Sequence, residues 1–204
     1  MPDFELENAL HDEGYTIVCG VDEAGRGPLC GPVFAAACIL PEGYMPDGLN
    51  DSKKLTPKKR EKLFDEICAN AVSYCIASAS VEEIDEMNIL EADLLAMRRA
   101  IDGLSQTPDI ALIDGNIARD FQIPAKAIIG GDAKSPSIAA ASILAKVARD
   151  RDCIELDRLY PQYGIAKHKG YGTKQHMDAL RTYGPSPIHR KQFIRFLSND
   201  EKKA

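Results

Sequence analysis

Four acidic side chains, Asp22, Glu23, Asp114 and Asp132, each follow apolar or glycine residues and are followed closely by glycine or another small residue. In α/β sheets ligands collect beyond strand ends, so acids in such positions can converge. Carboxylates brought together repel, and their pKa values rise unless a cation neutralises them. Oxygen-only ligation, without His or Cys nearby, selects a hard ion, Mg²⁺ or Mn²⁺. Such ions work on phosphate esters, in pairs ~3.5–4 Å apart. Taken alone, each acid is more readily a turn former or a helix cap. Their joint occurrence is what points to a metal site. One geometric conflict stands out, because neighbouring residues on a strand face opposite sides. Asp22 and Glu23 can share a site only if the backbone distorts towards Gly25 or the longer Glu23 side chain reaches round the edge.

The acids need a scaffold, and the apolar pattern supplies one. Alternation over Ile17–Val21 predicts a first strand, broken at Gly25-Arg26-Gly27-Pro28. The near-continuous apolar run Val33–Leu40 predicts a central strand covered on both faces. Thr56-Pro57 is a capping hydroxyl followed by a first-turn proline, opening a helix to about Ala71. A third strand over Val72–Ala79 precedes a long helix carrying Leu90, Leu94, Met97, Ile101 and Leu104 at helical spacing. Short strands at Ile110–Ile113 and Ala125–Ile129 lead into a helix from Ser135-Pro136 to about Leu159. Helices near Thr173–Thr182 and Ser186–Leu197 complete the pattern. Interleaved strands and helices predict an α/β sheet with covering helices. The expected division is a core over 1–160 and a helical extension over 161–204, packed as one structural unit.

Composition narrows the setting. At 204 residues, 45% hydrophobic and 27% charged, the chain suits one compact domain. Its six cysteines form no C-x-x-C pair and several lie in apolar runs, which predicts reduced core thiols in a cytoplasmic protein. No apolar run approaches the ~18 residues of a membrane span, and the acidic start is unlike a signal peptide. The net charge of −6 is unevenly spread: residues 52–62 hold six bases against one acid, and 161–204 hold nine against three. Two basic stretches on an acidic body fit local phosphate contact, although charge alone equally describes solvated faces.

Taken together, five stretches resemble the ribonuclease HII family. They are Val21-Asp22-Glu23-Ala24-Gly25-Arg26-Gly27, Asp51-Ser52-Lys53-Lys54-Leu55, Leu112-Ile113-Asp114-Gly115, Gly131-Asp132 through Lys146, and His168-Lys169-Gly170-Tyr171-Gly172-Thr173. The resemblance spans about residues 17–197, with the motifs in family order. It implies a ribonuclease H-like mixed sheet flanked by helices, with a C-terminal helical extension. It implies a four-carboxylate site of Asp22, Glu23, Asp114 and Asp132 holding two ions, with Asp22 bridging them. The implied reaction is cleavage of the RNA strand of RNA/DNA hybrids, and 5′ of single ribonucleotides in duplex DNA, leaving 5′-phosphate and 3′-hydroxyl.

The same resemblance assigns substrate contacts. Gly25-Arg26-Gly27 would read the ribose 2′-hydroxyl, the group that distinguishes RNA from DNA, through main-chain atoms. Tyr171 would pack on the sugar of the following nucleotide. Ser142, Lys146 and Arg149 fall on one helical stripe suited to a phosphate backbone, with Lys53, Lys54 and Lys169 holding phosphate further away. His11, His176 and His189 are expected at the surface. The expected form is a monomer, and Phe193–Ala204 holds no clear motif for docking on a replication clamp. Three other readings compete. A ribonuclease HIII-like nuclease usually lacks the arginine in the glycine loop and carries a long N-terminal domain, whereas about twenty residues precede Asp22 here. A non-catalytic duplex-binding module would lack an acid. A glycosidase would explain neither the lysines nor the absence of Trp.

Overall fold

A five-stranded mixed sheet in the order β3-β2-β1-β4-β5 organises the chain. The strands are β1 (Val18–Ala24), β2 (Val33–Ile39), β3 (Ser73–Ala79), β4 (Ile110–Asp114) and β5 (Ala125–Ile128). The computed structural model describes residues 2–50 and 52–197. The first three strands form an antiparallel meander, while β4 and β5 run parallel to β1. β2 is interior and buried on both faces, as its unbroken apolar run requires.

Alternation along the strands sorts the side chains between two layers. Cys19, Val21, Ala35, Ala37, Ala111 and Ile113 meet α3 (Val81–Met87) and α4 (Ile89–Asp102) on one face. Ala24, Ala36 and Cys38 meet α2 (Pro57–Asn70) and α5 (Pro136–Leu159) on the other. Thr56 and Ser135 cap α2 and α5 with their hydroxyls, each ahead of a first-turn proline. Gly20 is where α5 seats: a β-carbon there would lie 2.1 Å from the carbonyl carbon of Ser137. Only a glycine lets the helix approach β1 this closely.

The elements agree with the periodicity, with three differences. A helix α1 (Glu5–Asp12) precedes the sheet. It tucks Glu7 under the start of α5, where its carboxylate accepts from Ser135 Oγ at 2.6 Å and Ser137 Oγ at 2.8 Å. The long helix after β3 is two helices, broken at Asn88, which adopts φ 78° and caps α4 with its own side chain. The helix expected over Ser186–Leu197 is absent from residues 186–195, and of that span Phe196 and Leu197 alone are helical. Pro187 lacks an N–H, and the following backbone bonds sideways instead, with Gly31 N–H to Ile188 O, Arg190 N–H to Leu29 O and a bridge between Cys30 and His189. α6 (Ile165–His168), α7 (Lys174–Tyr183) and Ile194 gather with Cys30 and Cys153 around the buried Tyr163. All six cysteines are free thiols. No described helix is long and apolar enough to cross a membrane.

Candidate active site

The parallel ladder between β1 and β4 ends at the pair Val21 and Ile113. One step further, Asp22 and Asp114, the last residue of β4, stand side by side on the α5 side of the sheet. Glu23 lies on the α4 side, as alternation demands, yet β1 has lost its β4 neighbour there. The open edge lets the longer side chain come round the strand end. One carboxylate oxygen each from Asp22, Glu23 and Asp114 lies within 4.8 Å of the other two. The conflict seen in the sequence is therefore met by reach across a terminated ladder, with β1 still paired to β2 through Ala24.

Hydrogen bonds fix the two aspartates. Asp22 is 4% exposed, its Oδ1 accepts the Glu23 N–H at 2.7 Å, and the Ser142 hydroxyl bonds it from α5. Ser142 in turn meets Ser52 Oγ at 3.0 Å. Asp114 Oδ1 accepts the Gly131 N–H at 2.7 Å. Burial, with Glu23 and Asp114 beside it, drives the Asp22 carboxyl well above the usual carboxylate range. Three converging carboxylates, one of them buried, form an oxygen-only donor set that fits a hard divalent cation.

Asp132 stands apart from this trio. It is buried in the 3₁₀ turn Gly131–Ala133, one residue from the N–H that holds Asp114, and does not join the three at 4.8 Å. The four acids are thus near neighbours at one end of the sheet, three of them gathered and one on the adjoining turn.

The trio opens into a cavity of about 380 Å³ lined also by Gly25, Arg26, Gly27, Ser142, Lys146, Arg149 and Tyr171. Gly25 holds φ 106°, and a β-carbon there would lie 2.2 Å from Arg149 Nε. Gly27 faces the Tyr171 ring, and Tyr171 is 47% exposed. Neither Arg26 nor Gly27 gives its N–H to an acceptor among the described residues. Lys146 lines both this cavity and an adjoining groove that carries Arg60, Arg151 and Lys169, and its Nζ pairs with Asp150 at 2.7 Å. The Lys53 side chain lies outside the described residues.

Arg149 shares the expected stripe with Ser142 and Lys146 at the cavity. It is buried, and its Nη2 donates to Lys169 O at 2.8 Å, so it braces the Gly25 and Lys169 backbones from beneath. Asp93 is a residue the sequence reading passed over. It lies 2% exposed on α4 between Glu23 and Arg26, whose Nε is 3.4 Å away. Burial and the Glu23 charge push its carboxyl up to about 8. The signal was an acid set among the apolar residues of α4. His11 is exposed as expected, but His176 and His189 are not: they are 0% and 3% exposed.

The two buried imidazoles bond to each other, Nε2 to Nε2, at 3.2 Å. His176 Nδ1 faces the carbonyls of Gly170 and Tyr171 at 3.1 Å, so that nitrogen carries the proton and Nε2 accepts. Burial holds both rings below the usual histidine range, His189 at about 4. Cys30 Sγ lies within 4.8 Å of both rings, but burial pushes its thiol up to about 12. With their nitrogens engaged, the two imidazoles form a hydrogen-bonded pair buried beside Cys30.

The family model for ribonuclease HII matches residues 19–196. The chain belongs to the ribonuclease HII family. A ribonuclease HII of Caldicellulosiruptor saccharolyticus is 56% identical over 192 residues, covering 94% of each chain. Another, from Burkholderia thailandensis, is 60% identical over 87% of this chain and 83% of its own. The crystal structure of ribonuclease H2 from Pyrococcus horikoshii superposes with a TM-score of 0.76 at 30% identity, over 93% of this chain and all of that one. As a ribonuclease HII family member the chain is a metal-dependent endonuclease of the type 2 ribonuclease H class, on the ribonuclease H-like fold.

Proposed function

We propose that this chain cuts the RNA strand of RNA/DNA hybrids, and the 5′ side of single ribonucleotides within duplex DNA, leaving 5′-phosphate and 3′-hydroxyl. The observation that carries this reading is a single cavity joining three converging carboxylates to a glycine loop whose Arg26 and Gly27 N–H donors are unclaimed among the described residues. Asp22, Glu23 and Asp114, with Asp132 from the adjoining turn, would hold two Mg²⁺ or Mn²⁺ ions. When bound, these ions supply Lewis acidity for phosphate-ester hydrolysis. Ser142 and the Glu23 N–H orient the Asp22 carboxylate, and Gly131 orients that of Asp114.

Substrate selection belongs to the rim. Arg26 and Gly27 N–H groups would bond a ribose 2′-oxygen, which DNA lacks. Tyr171, exposed against Gly27, offers a flat face to the neighbouring sugar. Lys146 and Lys169, flanking the adjoining groove, would hold the phosphate backbone, with Lys53 and Lys54 further along. The core over 1–160 and the extension beyond it, sharing the apolar cluster around Tyr163, would act as one cytoplasmic monomer. The test is to map cut positions on a duplex carrying one ribonucleotide. A divalent-dependent cut on its 5′ side, with all-DNA duplex left whole, is expected. Cleavage elsewhere, or full activity in excess chelator, overturns the reading.

A further inference from the structure

Arg190 is 0% exposed, and no carboxylate among the described residues pairs with it. Its donors go instead to main-chain carbonyls of one loop. Nη2 donates to Gly25 O at 2.7 Å and Pro32 O at 3.2 Å, Nη1 to Arg26 O and Pro28 O at 3.0 Å each, and Nε to Gly31 O at 2.9 Å. The Phe193 ring covers the guanidinium, its centroid 5.3 Å from Cζ. A planar fork with five N–H donors matches such a set, whereas an ammonium has three.

Peptide planarity turns this into a statement about the cavity. In a trans peptide the C=O of one residue and the N–H of the next point in opposite directions. Drawing Gly25 O and Arg26 O onto the guanidinium therefore aims the N–H groups of Arg26 and Gly27 away from it. Neither donor has an intramolecular acceptor among the described residues, and both residues line the cavity. The same segment steadies the opposite wall: His189 bonds His176, which bonds the carbonyls of Gly170 and Tyr171.

We infer that Arg190 is the positioning residue for ribose discrimination, holding the Gly25–Gly27 backbone so that its N–H donors face the substrate sugar. The inference rests on the proposed role of that loop. Arg190→Lys keeps the charge but leaves carbonyls unmet. On a duplex with one ribonucleotide, its kcat should fall about tenfold or more while KM changes less than about threefold. Affinity for all-DNA duplex should stay at the native value, and kcat is normalised to the active fraction given by the stoichiometry of that binding, so that loss of folded protein does not enter. Unchanged ribose preference in a folded Arg190→Lys overturns the inference.

Because that variant can lose its fold, hydrogen exchange on the unmodified chain supplies a second measurement. The Arg190 Nε–H and the amides of Leu29 and Gly31 should exchange in one opening event, slowed together by a ribonucleotide-containing duplex. Independent exchange overturns the inference. Gly27→Val tests the loop itself: intact ribose preference there removes the loop reading and this inference together, whereas intact preference in Arg190→Lys alone removes only the latter.

Discussion

At the scale of single residues, Asp22 and Asp114 differ in how the fold treats them. Both accept a backbone N–H, but Asp22 is buried against its acidic neighbours and its carboxyl is raised, whereas Asp114 is only partly buried. Asp114→Asn keeps an oxygen for Gly131 and removes a charge, so it should lower cleavage by about 10³-fold or more while duplex affinity changes little. Single-turnover rates beside a binding titration check this, and a collapsed melting transition would make Asp114 structural. Asp22 carries a pH signature. Its folded pKa lies above the unfolded value of about 3.9, so ionising it favours the unfolded state, and the penalty grows as pH rises through that value. In chelator, Asp22→Asn should therefore raise the melting temperature by about 2–4 °C at pH 7 and by nothing near pH 3. A melting series across pH tests the sign directly. Divalent ions should narrow the gap at pH 7.

Among the elements, the contact between β1 and α5 matters most. Gly20 lets the start of α5 rest against the strand, and Ser142, on the same helix, thereby reaches Asp22. Gly20→Ala places a β-carbon into the Ser137 backbone, which has no flexible end to yield. Overpacking of this kind costs about 1–3 kcal/mol or more, and urea unfolding measures it. The variant should also lose activity beyond its unfolded fraction, because displaced α5 carries Ser142 and Lys146 away from the carboxylates. The reading of strands and caps from sequence succeeded here because each is local: a period of two, or a hydroxyl before a proline. The 186–197 segment escaped it because its backbone partners are residues 29 and 31, beyond any window of local pattern.

Across the whole molecule, the C-terminal segment is part of the cavity's frame. The His176–His189 pair sits where that segment meets the Gly170–Tyr171 turn. Both rings are held neutral by burial, and His189 titrates at about 4 when folded against about 6.5 unfolded. The unfolded chain binds the extra proton first, so this contribution to stability is complete above pH 6.5 and lost as pH falls towards 4. Denaturant midpoints measured from pH 7 to pH 4.5 should fall, and His189→Gln should flatten that slope. A slope unchanged by the substitution would assign the acid sensitivity to other groups.

The order of the five strands, the two capped helices and the acids of β1 and β4 were decided by the sequence, through hydrophobic period, capping chemistry and residue type. The family motifs added the activity. Tertiary structure alone decided that Glu23 comes round the end of β1, that Asp132 stands on a neighbouring turn, and that Asp93, Arg149 and Arg190 are buried beneath the cavity. The physical reason is separation along the chain. Arg190 meets a carbonyl 165 residues away, and a bond of that span leaves no periodicity for a sequence to display.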